Sequence, residues 1–116
     1  MAFDREQTRL KVEALADEGI FIGTSSWKYQ GWLNQLYTPT RYEYRGKVEI
    51  TRFERDCLKE YAEVFKTVCV DAAYYDFPRI EYLEKLSDAV PEDFQFGFKI
   101  TDAIWHQDFL VIGGRI

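Results

Sequence analysis

The stretch Thr67-Val68-Cys69-Val70-Asp71-Ala72 predicts a short buried strand, because it is apolar and rich in β-branched residues. Downstream, Phe94-Gln95-Phe96-Gly97-Phe98-Lys99-Ile100 alternates strictly between large apolar residues and others, which also predicts a strand. Upstream, Ile20-Phe21-Ile22-Gly23-Thr24-Ser25 is a third apolar run and predicts another buried strand. Strands separated by helical patterns predict an α/β protein with βαβ units, a parallel sheet and right-handed crossovers.

The segment before the first predicted strand predicts a helix over residues 4–18, followed by Gly19 as a stop signal. Asp4 is a suitable N-cap residue, because its carboxylate can accept a hydrogen bond from a backbone N–H of the first turn. The apolar side chains of this helix recur at helical spacing, at Leu10, Ala14 and Leu15.

Two further helices are predicted between the strands. The first is expected to begin at Thr51, because Thr51 and Glu54 have the spacing of a capping box. Its apolar face recurs every four residues, at Phe53, Cys57, Tyr61 and Phe65, with Leu58 and Ala62 beside them. The second is expected to have Pro78 in its first turn and to end at Pro91. Its apolar stripe consists of Ile80, Leu83, Leu86 and Val90.

The alternation of side chains along the strands predicts a candidate site. Ser25, Asp71 and Lys99 fall on the mixed faces of their strands, at the C-terminal ends, where parallel α/β folds bind ligands. Lys99 can stabilise negative charge, Asp71 can orient Lys99 or accept a proton, and the Tyr75 hydroxyl can donate one. We therefore take Asp71, Lys99 and Tyr75 as candidate catalytic residues. The alternative is a structural ion pair between Asp71 and Lys99, with Ser25 hydrogen-bonded nearby.

Residues 26–50 form a long connection that is rich in aromatic and turn residues. A connection of this length inside a compact chain is more often functional than an idle link. One alternative is that its aromatic side chains form a small additional core, since aromatics dominate packing wherever they occur. Another is that Trp27, Tyr29, Trp32 and Tyr37 are exposed and bind a partner without performing chemistry.

Composition excludes several classes of protein. The chain has 116 residues, of which 47% are hydrophobic, and this fraction is too high for a disordered segment. No apolar run is long enough to span a bilayer. The net charge of -5 argues against nucleic acid as a partner, because binding to phosphates needs a surplus of Lys and Arg.

The reactive side chains fit a cytoplasmic protein, and they assign no residue to a metal site. Cys57 and Cys69 are the only cysteines and lack metal-ligand spacing, which fits two reduced thiols in the cytoplasm. With His106 as the only histidine, a His-rich metal site or a Ser-His-Asp triad is not expected. No phosphate-binding loop motif occurs, so no nucleotide cofactor is assigned.

Three motifs resemble a known family. Gly23-Thr24-Ser25-Ser26-Trp27, followed by Trp32 and Tyr37-Thr38-Pro39, resembles the opening motif of the domain of unknown function family 72 (DUF 72), the YecE-like proteins. The segments 65–78 and 94–99 resemble two further motifs of that family, in the same order. Three ordered motifs make the resemblance specific, and together they cover most of the chain.

The resemblance implies a TIM-type (β/α) barrel, of which this chain would supply the first three parallel strands and their crossover helices. It also places five residues at the mouth of the barrel: Ser25, Trp27, Asp71, Tyr75 and Lys99. Of the residues in the opening motif, we take Ser25, Trp27 and Trp32 as candidate ligand-binding residues. The expected organisation is an N-terminal helical extension over residues 1–19, a partial barrel over 20–104 and a divergent, truncated tail over 105–116.

The implied function is binding of a small polar or anionic molecule at the mouth of the barrel in full-length relatives, and whether the protein is an enzyme stays open. Two alternatives stand beside it. One is a non-catalytic interaction module that uses the aromatic loop over residues 27–44. The other is a non-functional gene fragment, which the genomic DNA beyond codon 116 would reveal.

Overall fold

The fold is described from a computed structural model that covers residues 3–70, 79–99 and 109–112, with Lys99 and residues 109–112 described by their backbone. Within these residues the helices are α1 (Arg5–Asp17), α2 (Ile50–Val64) and α3 (Ile80–Asp88). The strands are β1 (Gly23–Thr24), β2 (Glu43–Tyr44), β3 (Lys47–Val48), β4 (Thr67–Val70), β5 (Gln95–Lys99) and β6 (Phe109–Ile112). Two short 3₁₀ helices, η1 (Gln30–Trp32) and η2 (Pro39–Tyr42), lie between β1 and β2.

The main sheet has the strand order β1-β4-β5-β6. Strands β1, β4 and β5 are parallel, which confirms the predicted parallel arrangement of three strands with helices between them. Strand β6 adds to the far side of β5 in the antiparallel direction, and β2 and β3 form a separate antiparallel hairpin. The parallel order sets the C-terminal ends of β1, β4 and β5 along one edge of the sheet.

Helix α2 contributes more side chains than any other described element to the core on one face of this sheet. Its predicted apolar face is confirmed, because Phe53, Cys57 and Tyr61 are completely buried. The strands contribute alternate residues to the same core, as the pattern of large apolar side chains predicts. These residues are Val68 and Val70 from β4, with Phe94, Phe96 and Phe98 in and before β5.

Helix α1 forms where it is predicted, and Asp4 caps it by accepting a hydrogen bond from the Gln7 N–H at 2.9 Å. The predicted apolar face is wrong, because Leu10 is 53% exposed while Val12 is buried. The covered side of α1 instead follows a helical stripe that includes polar residues: Arg5, Thr8, Arg9, Val12, Leu15 and Ala16. The spacing of apolar residues does not predict this stripe, because polar side chains, two of them long arginines, occupy half of its positions.

The predicted capping box of the second helix is wrong. Helix α2 begins at Ile50, so Thr51 already lies in its first turn, and Glu49 occupies the N-cap position without a side-chain cap. The Glu49 N–H donates to the carbonyl oxygen of Tyr42 at 2.9 Å. This bond to η2 fixes the point at which the chain enters the helix, ahead of the sequence signal.

The predicted buried strand over residues 20–25 is paired only at Gly23 and Thr24. Ile20, Phe21 and Ile22 are 41–48% exposed, so the prediction that they are buried is wrong. The reason is that β1 pairs with β4 from Thr67 onward and no described strand lies beside the residues before Gly23.

Helix α3 confirms the third predicted helix in part. It spans Ile80–Asp88 with Leu86 buried, but Ile80 is 56% exposed and does not join the predicted stripe. The predicted start at Pro78 lies outside the described residues. After the helix, a turn in which the Phe94 N–H donates to the Pro91 carbonyl oxygen leads into β5.

The aromatic connection over residues 26–50 contributes to the core rather than forming an exposed loop throughout. Trp27, Tyr37 and Tyr42 are buried and join the same cluster as α2. The prediction that Trp27 and Tyr37 are exposed is therefore wrong. The alternative is correct that these aromatic side chains pack in a core, but they belong to the main core and not to a small additional one. Tyr29 and Tyr44 remain 43% and 52% exposed.

Candidate functional site

The sheet separates a filled face from an open one. Val68 lies beside Phe96 in the parallel register, and both are buried against the helical side. Their sequence neighbours Cys69 and Gly97, which also lie side by side, are only half-buried on the opposite face. We call this second surface, formed by Gly23, Thr67, Cys69, Gln95 and Gly97, the open face. The alternation predicted for the second and third strands is therefore present in the fold.

Two of the predicted site residues lie at the C-terminal edge of this sheet. Ser25 follows the last residue of β1 and is exposed. Lys99 is the last residue of β5, and its backbone pairs with Phe109 of β6. Asp71, at the end of the second predicted strand, and Tyr75, just after it, lie outside the described residues. The structure thus brings Ser25 and Lys99 to the same edge of the sheet, after β1 and at the end of β5, with β4 between these two strands.

Tyr61 of α2 anchors the start of the aromatic loop, where the chain leaves β1. The Thr24 N–H donates to the Tyr61 hydroxyl oxygen at 2.9 Å, and the Tyr61 hydroxyl donates to the Thr67 carbonyl oxygen at 2.8 Å. Burial raises the pKa of Tyr61, which keeps this hydroxyl protonated and able to donate. Strands β1 and β4 and helix α2 are therefore joined immediately before Ser25.

Trp27 lies beneath the surface of the same loop and is 4% exposed. Its carbonyl oxygen accepts a hydrogen bond from the Tyr37 hydroxyl and faces the Cys57 thiol at 3.9 Å. The Lys28 ammonium lies 5.4 Å from the centre of the Trp27 ring, within the range of a cation–π interaction. Trp27 therefore supports the loop from inside, while Lys28 marks its outer surface.

A broad open groove lies on the outer side of this loop, with a volume of about 720 Å³. We call it the aromatic groove, and its lining residues are Lys28, Tyr29, Gln30, Gly31, Trp32 and Gln35. Tyr29 and Trp32 meet edge to face, with ring centres 4.6 Å apart. The predicted ligand residue Trp32 is thus half-buried in the wall of a surface groove, next to a cation that the sequence argument did not select.

Sequence reasoning missed Glu60, a buried carboxylate in α2 that is 1% exposed. It accepts hydrogen bonds from the Thr38 N–H at 3.1 Å, from the Thr38 hydroxyl at 2.7 Å and from the Tyr42 hydroxyl at 2.7 Å. The Arg41 guanidinium lies 3.5 Å away. The signal in the sequence is the position of Glu60 one residue before Tyr61 and three after Cys57, within the apolar face of α2. Its role is to fix η2 and the end of the aromatic loop to the helix.

Glu63 forms a second, exposed anchor one turn further along α2. It pairs with Arg5 of α1 and with Arg41 of η2, each at 2.8 Å. The Arg41 and Arg5 guanidinium groups lower the pKa of Glu63, with Arg41 as the larger influence. The two glutamates therefore hold α1 and the aromatic loop against the same helix.

Two other features are absent from the part of the chain that the structure describes: a cluster of metal-ligand side chains and a helix able to span a membrane. No three His, Cys, Asp or Glu side chains come together there in a way that could hold a metal ion. The described helices are also each too short or too polar to cross a membrane.

These features define a class: an α/β protein with a parallel sheet, one face filled by helices, and loops at the C-terminal strand edge that offer a candidate ligand site. The chain belongs to the family described as "Protein of unknown function DUF72", which it matches over residues 21–112. The match confirms the resemblance drawn from the three motifs and continues to the end of β6. Neither the curated proteins nor the solved structures contain a match to this chain.

Proposed function

We propose that this chain is part of a TIM-type barrel domain that binds a small polar or anionic molecule at the C-terminal edge of its parallel strands. The observation that carries the proposal is the contrast between the two faces of the sheet. One face is packed with Val and Phe side chains against α2, while the open face carries small and polar residues. Barrels use this division, with helices outside and a ligand site at the C-terminal mouth.

The proposed domain covers residues 20–104, with residues 1–19 as a helical extension. Because the family match runs to residue 112 and β6 pairs with β5, residues 105–112 are added to the proposed domain, and the proposed divergent tail shortens to residues 113–116. At the mouth, Ser25 and Lys99 contact the ligand, and the loop of Trp27 and Trp32 forms the adjoining wall. The buried position of Trp27 gives it a supporting contribution, through the cation–π contact with Lys28.

If a reaction occurs there, its chemistry belongs to three side chains. The Lys99 ammonium neutralises negative charge on the ligand or on a developing oxyanion. The Asp71 carboxylate orients that ammonium or accepts a proton, and the Tyr75 hydroxyl acts as a donor. The proposal allows a polar or an anionic ligand. Because Lys99 is a cationic residue at the strand edge, binding of an anion can be tested most directly.

The test uses the melting temperature of the complete chain with and without inorganic phosphate at constant ionic strength. We expect phosphate to raise the melting temperature, and Lys99→Met to remove most of that rise without changing the melting temperature in its absence. Lys11→Met is the matched control, because Lys11 is an exposed lysine on α1 and its loss changes the net charge equally. An equal rise in all three proteins would reflect general salt stabilisation and would overturn the proposal.

A second candidate function is a non-catalytic interaction surface on the aromatic loop. It is favoured by the tip of the β2–β3 hairpin, where Tyr44 is 52% exposed and the Arg45 and Arg52 guanidinium groups lie 5.2 and 5.6 Å from its ring. Exposed aromatic rings combined with arginine are typical of protein interfaces. Tyr44→Ala should then abolish binding to a partner while the phosphate response of the melting temperature is retained.

A further inference from the structure

We propose that the aromatic groove binds the planar, unsaturated part of an anionic ligand, with Lys28 facing its negative charge. The proposal rests on the proposed function, because it names the chemistry of a ligand that the strand edge would hold. It adds a second cation and an aromatic wall to the site. Neither the Lys99 argument nor the family assignment contains these features.

The wall of the groove suits a flat ligand. Tyr29 is 43% exposed and packs edge to face on Trp32, with an angle of 66° between the two ring planes, so the rings of the wall are steeply inclined to each other. Aromatic rings favour offset-stacked or edge-to-face partners, and two rings inclined in this way can offer both arrangements to one planar ligand. A saturated ligand of the same size would gain only the non-directional part of this contact.

The charge of the groove favours an anion. Lys28 forms no salt bridge with any carboxylate in the described part of the chain. Its ammonium is held near the Trp27 ring, and the neighbouring wall residues Gln30 and Gln35 are neutral amides that can donate hydrogen bonds. A cation without a carboxylate partner, on a chain with a net charge of -5, is a local site for a negative group.

The groove is preformed by main-chain hydrogen bonds. The Trp32 carbonyl oxygen accepts from the Gln35 and Tyr37 N–H groups, each at 3.0 Å, and the Trp32 N–H donates to the Tyr29 carbonyl oxygen at 3.1 Å. Below these bonds, the buried Tyr37 hydroxyl donates to the Trp27 carbonyl oxygen within the loop, and the Thr38 hydroxyl donates to Glu60, which fixes the loop to α2. A preformed loop loses little conformational entropy when a ligand binds, which favours a site over an adaptable surface.

The aromatic groove is broad and open, with a volume of about 720 Å³, so a ligand lies against its wall without being enclosed. A neighbouring cavity, on the side of Trp32 that faces Thr24 and Phe65, has only about 160 Å³ and is too small for such a molecule. The floor of the aromatic groove is accessible at Gly31, where a Cβ atom would meet no atom within 4 Å.

The experiment follows the indole N–H signal of Trp32 in a proton–nitrogen correlation spectrum of the complete chain, assigned by its loss in Trp32→Phe. Three probes are titrated: benzoate, which is planar and anionic; benzamide, which is planar and neutral; and cyclohexanecarboxylate, which is anionic and saturated. We expect a saturable shift that is strongest for benzoate. Lys28→Met should weaken benzoate binding roughly threefold, as expected for one exposed charge, whereas Lys11→Met should leave it unchanged.

A blocking variant gives an independent readout. Gly31→Phe places a ring in the open floor of the groove and should abolish the benzoate shift while the rest of the spectrum keeps its dispersion. If Gly31→Phe fails to fold, the three probes and the two lysine variants still test whether the aromatic groove binds a planar anion. The proposal is overturned by the absence of a saturable Trp32 shift, by equal binding of cyclohexanecarboxylate, or by unchanged benzoate binding in Lys28→Met.

Failure of this inference and failure of the proposed function give different results. If Trp32 does not respond but the phosphate-dependent rise in melting temperature still requires Lys99, only the aromatic groove is wrong. If benzoate binds through Lys28 while phosphate has no Lys99-dependent effect, the site lies in the loop and the strand-edge proposal is wrong.

Discussion

Gly23 is the position at which the sheet leaves no space for a side chain. A Cβ atom on Gly23 would lie 1.8 Å from the carbonyl oxygen of Thr67, which belongs to the backbone of β4 and cannot turn away. Gly23→Ala must therefore separate β1 from β4, and with it displace the loop that carries Ser25. We expect Gly23→Ala to lower the free energy of unfolding by about 3 kcal/mol, at the upper end for an overpacked site.

Gly97 provides the matched control, because it lies on β5 of the same sheet and on the same open face. A Cβ atom there would meet its nearest neighbour, the Val68 carbonyl oxygen, at 3.8 Å, an ordinary contact distance. Gly97→Ala should therefore change stability by less than about 1 kcal/mol. Urea denaturation of both variants measures the difference. Equal losses would contradict the close approach at Gly23.

At the scale of the element, α2 holds the site loop through Glu60. Glu60→Ala leaves the Thr38 N–H and the Tyr42 hydroxyl without their acceptor and removes the carboxylate that faces Arg41. We expect a loss of about 3 kcal/mol in the free energy of unfolding, as for other buried charged groups. The Thr38 amide should also exchange its hydrogen faster, because it loses its acceptor.

Glu63→Ala is the comparison, since Glu63 lies on the same helix and pairs with the same Arg41 but is 38% exposed. Solvent screens an exposed pair, so its loss should cost less than about 1 kcal/mol and leave the exchange of the Thr38 amide unchanged. If both variants accelerated hydrogen exchange of the Thr38 amide equally, the loop would be held by the arginines rather than by Glu60.

The elements also show which parts of the fold a sequence can predict. The repeat of Phe53, Cys57 and Tyr61 predicted the buried face of α2, because large apolar groups at helical spacing have one favourable arrangement. The burial of Glu60 could not be predicted in this way. Its partners Thr38 and Tyr42 lie about twenty residues earlier, in a loop whose shape depends on tertiary contacts.

One part of the candidate site could be predicted from the sequence and another part could not. Strict alternation over Phe94, Phe96 and Phe98 predicted which face of the sheet is filled, and parallel order then placed Ser25 and Lys99 at one edge. The aromatic groove had no such signal, because it depends on which rings of the loop turn inward. Trp27 joins the core while Tyr29, two residues later, remains exposed.

At the scale of the whole molecule, the core contains buried hydroxyl and thiol groups that are held in their protonated form. The free energy of unfolding is therefore expected to fall at alkaline pH. Burial raises the pKa of Cys57 from the ordinary value of 9.0 to about 12, and burial also raises the pKa values of Tyr37, Tyr42 and Tyr61. The folded state therefore holds protons that the unfolded chain releases. This contribution to stability is fully present below pH 9 and is lost as the pH rises toward 12.

Between pH 9 and pH 10 the Cys57 thiol titrates in the unfolded chain, whereas the ordinary pKa of the tyrosines is 10.0. We expect the free energy of unfolding to fall by about 2 kcal/mol over this interval, about half of it from the Cys57 thiol and the rest from Tyr37, Tyr42 and Tyr61, which begin to titrate in the unfolded chain. Urea denaturation at constant ionic strength measures it. Cys57→Ala lowers stability at every pH but should reduce this slope by about half, because the shifted thiol is absent. An unchanged slope in Cys57→Ala would show that the loss comes from another group, and that the thiol facing the Trp27 carbonyl oxygen does not hold its proton more tightly than in the unfolded chain.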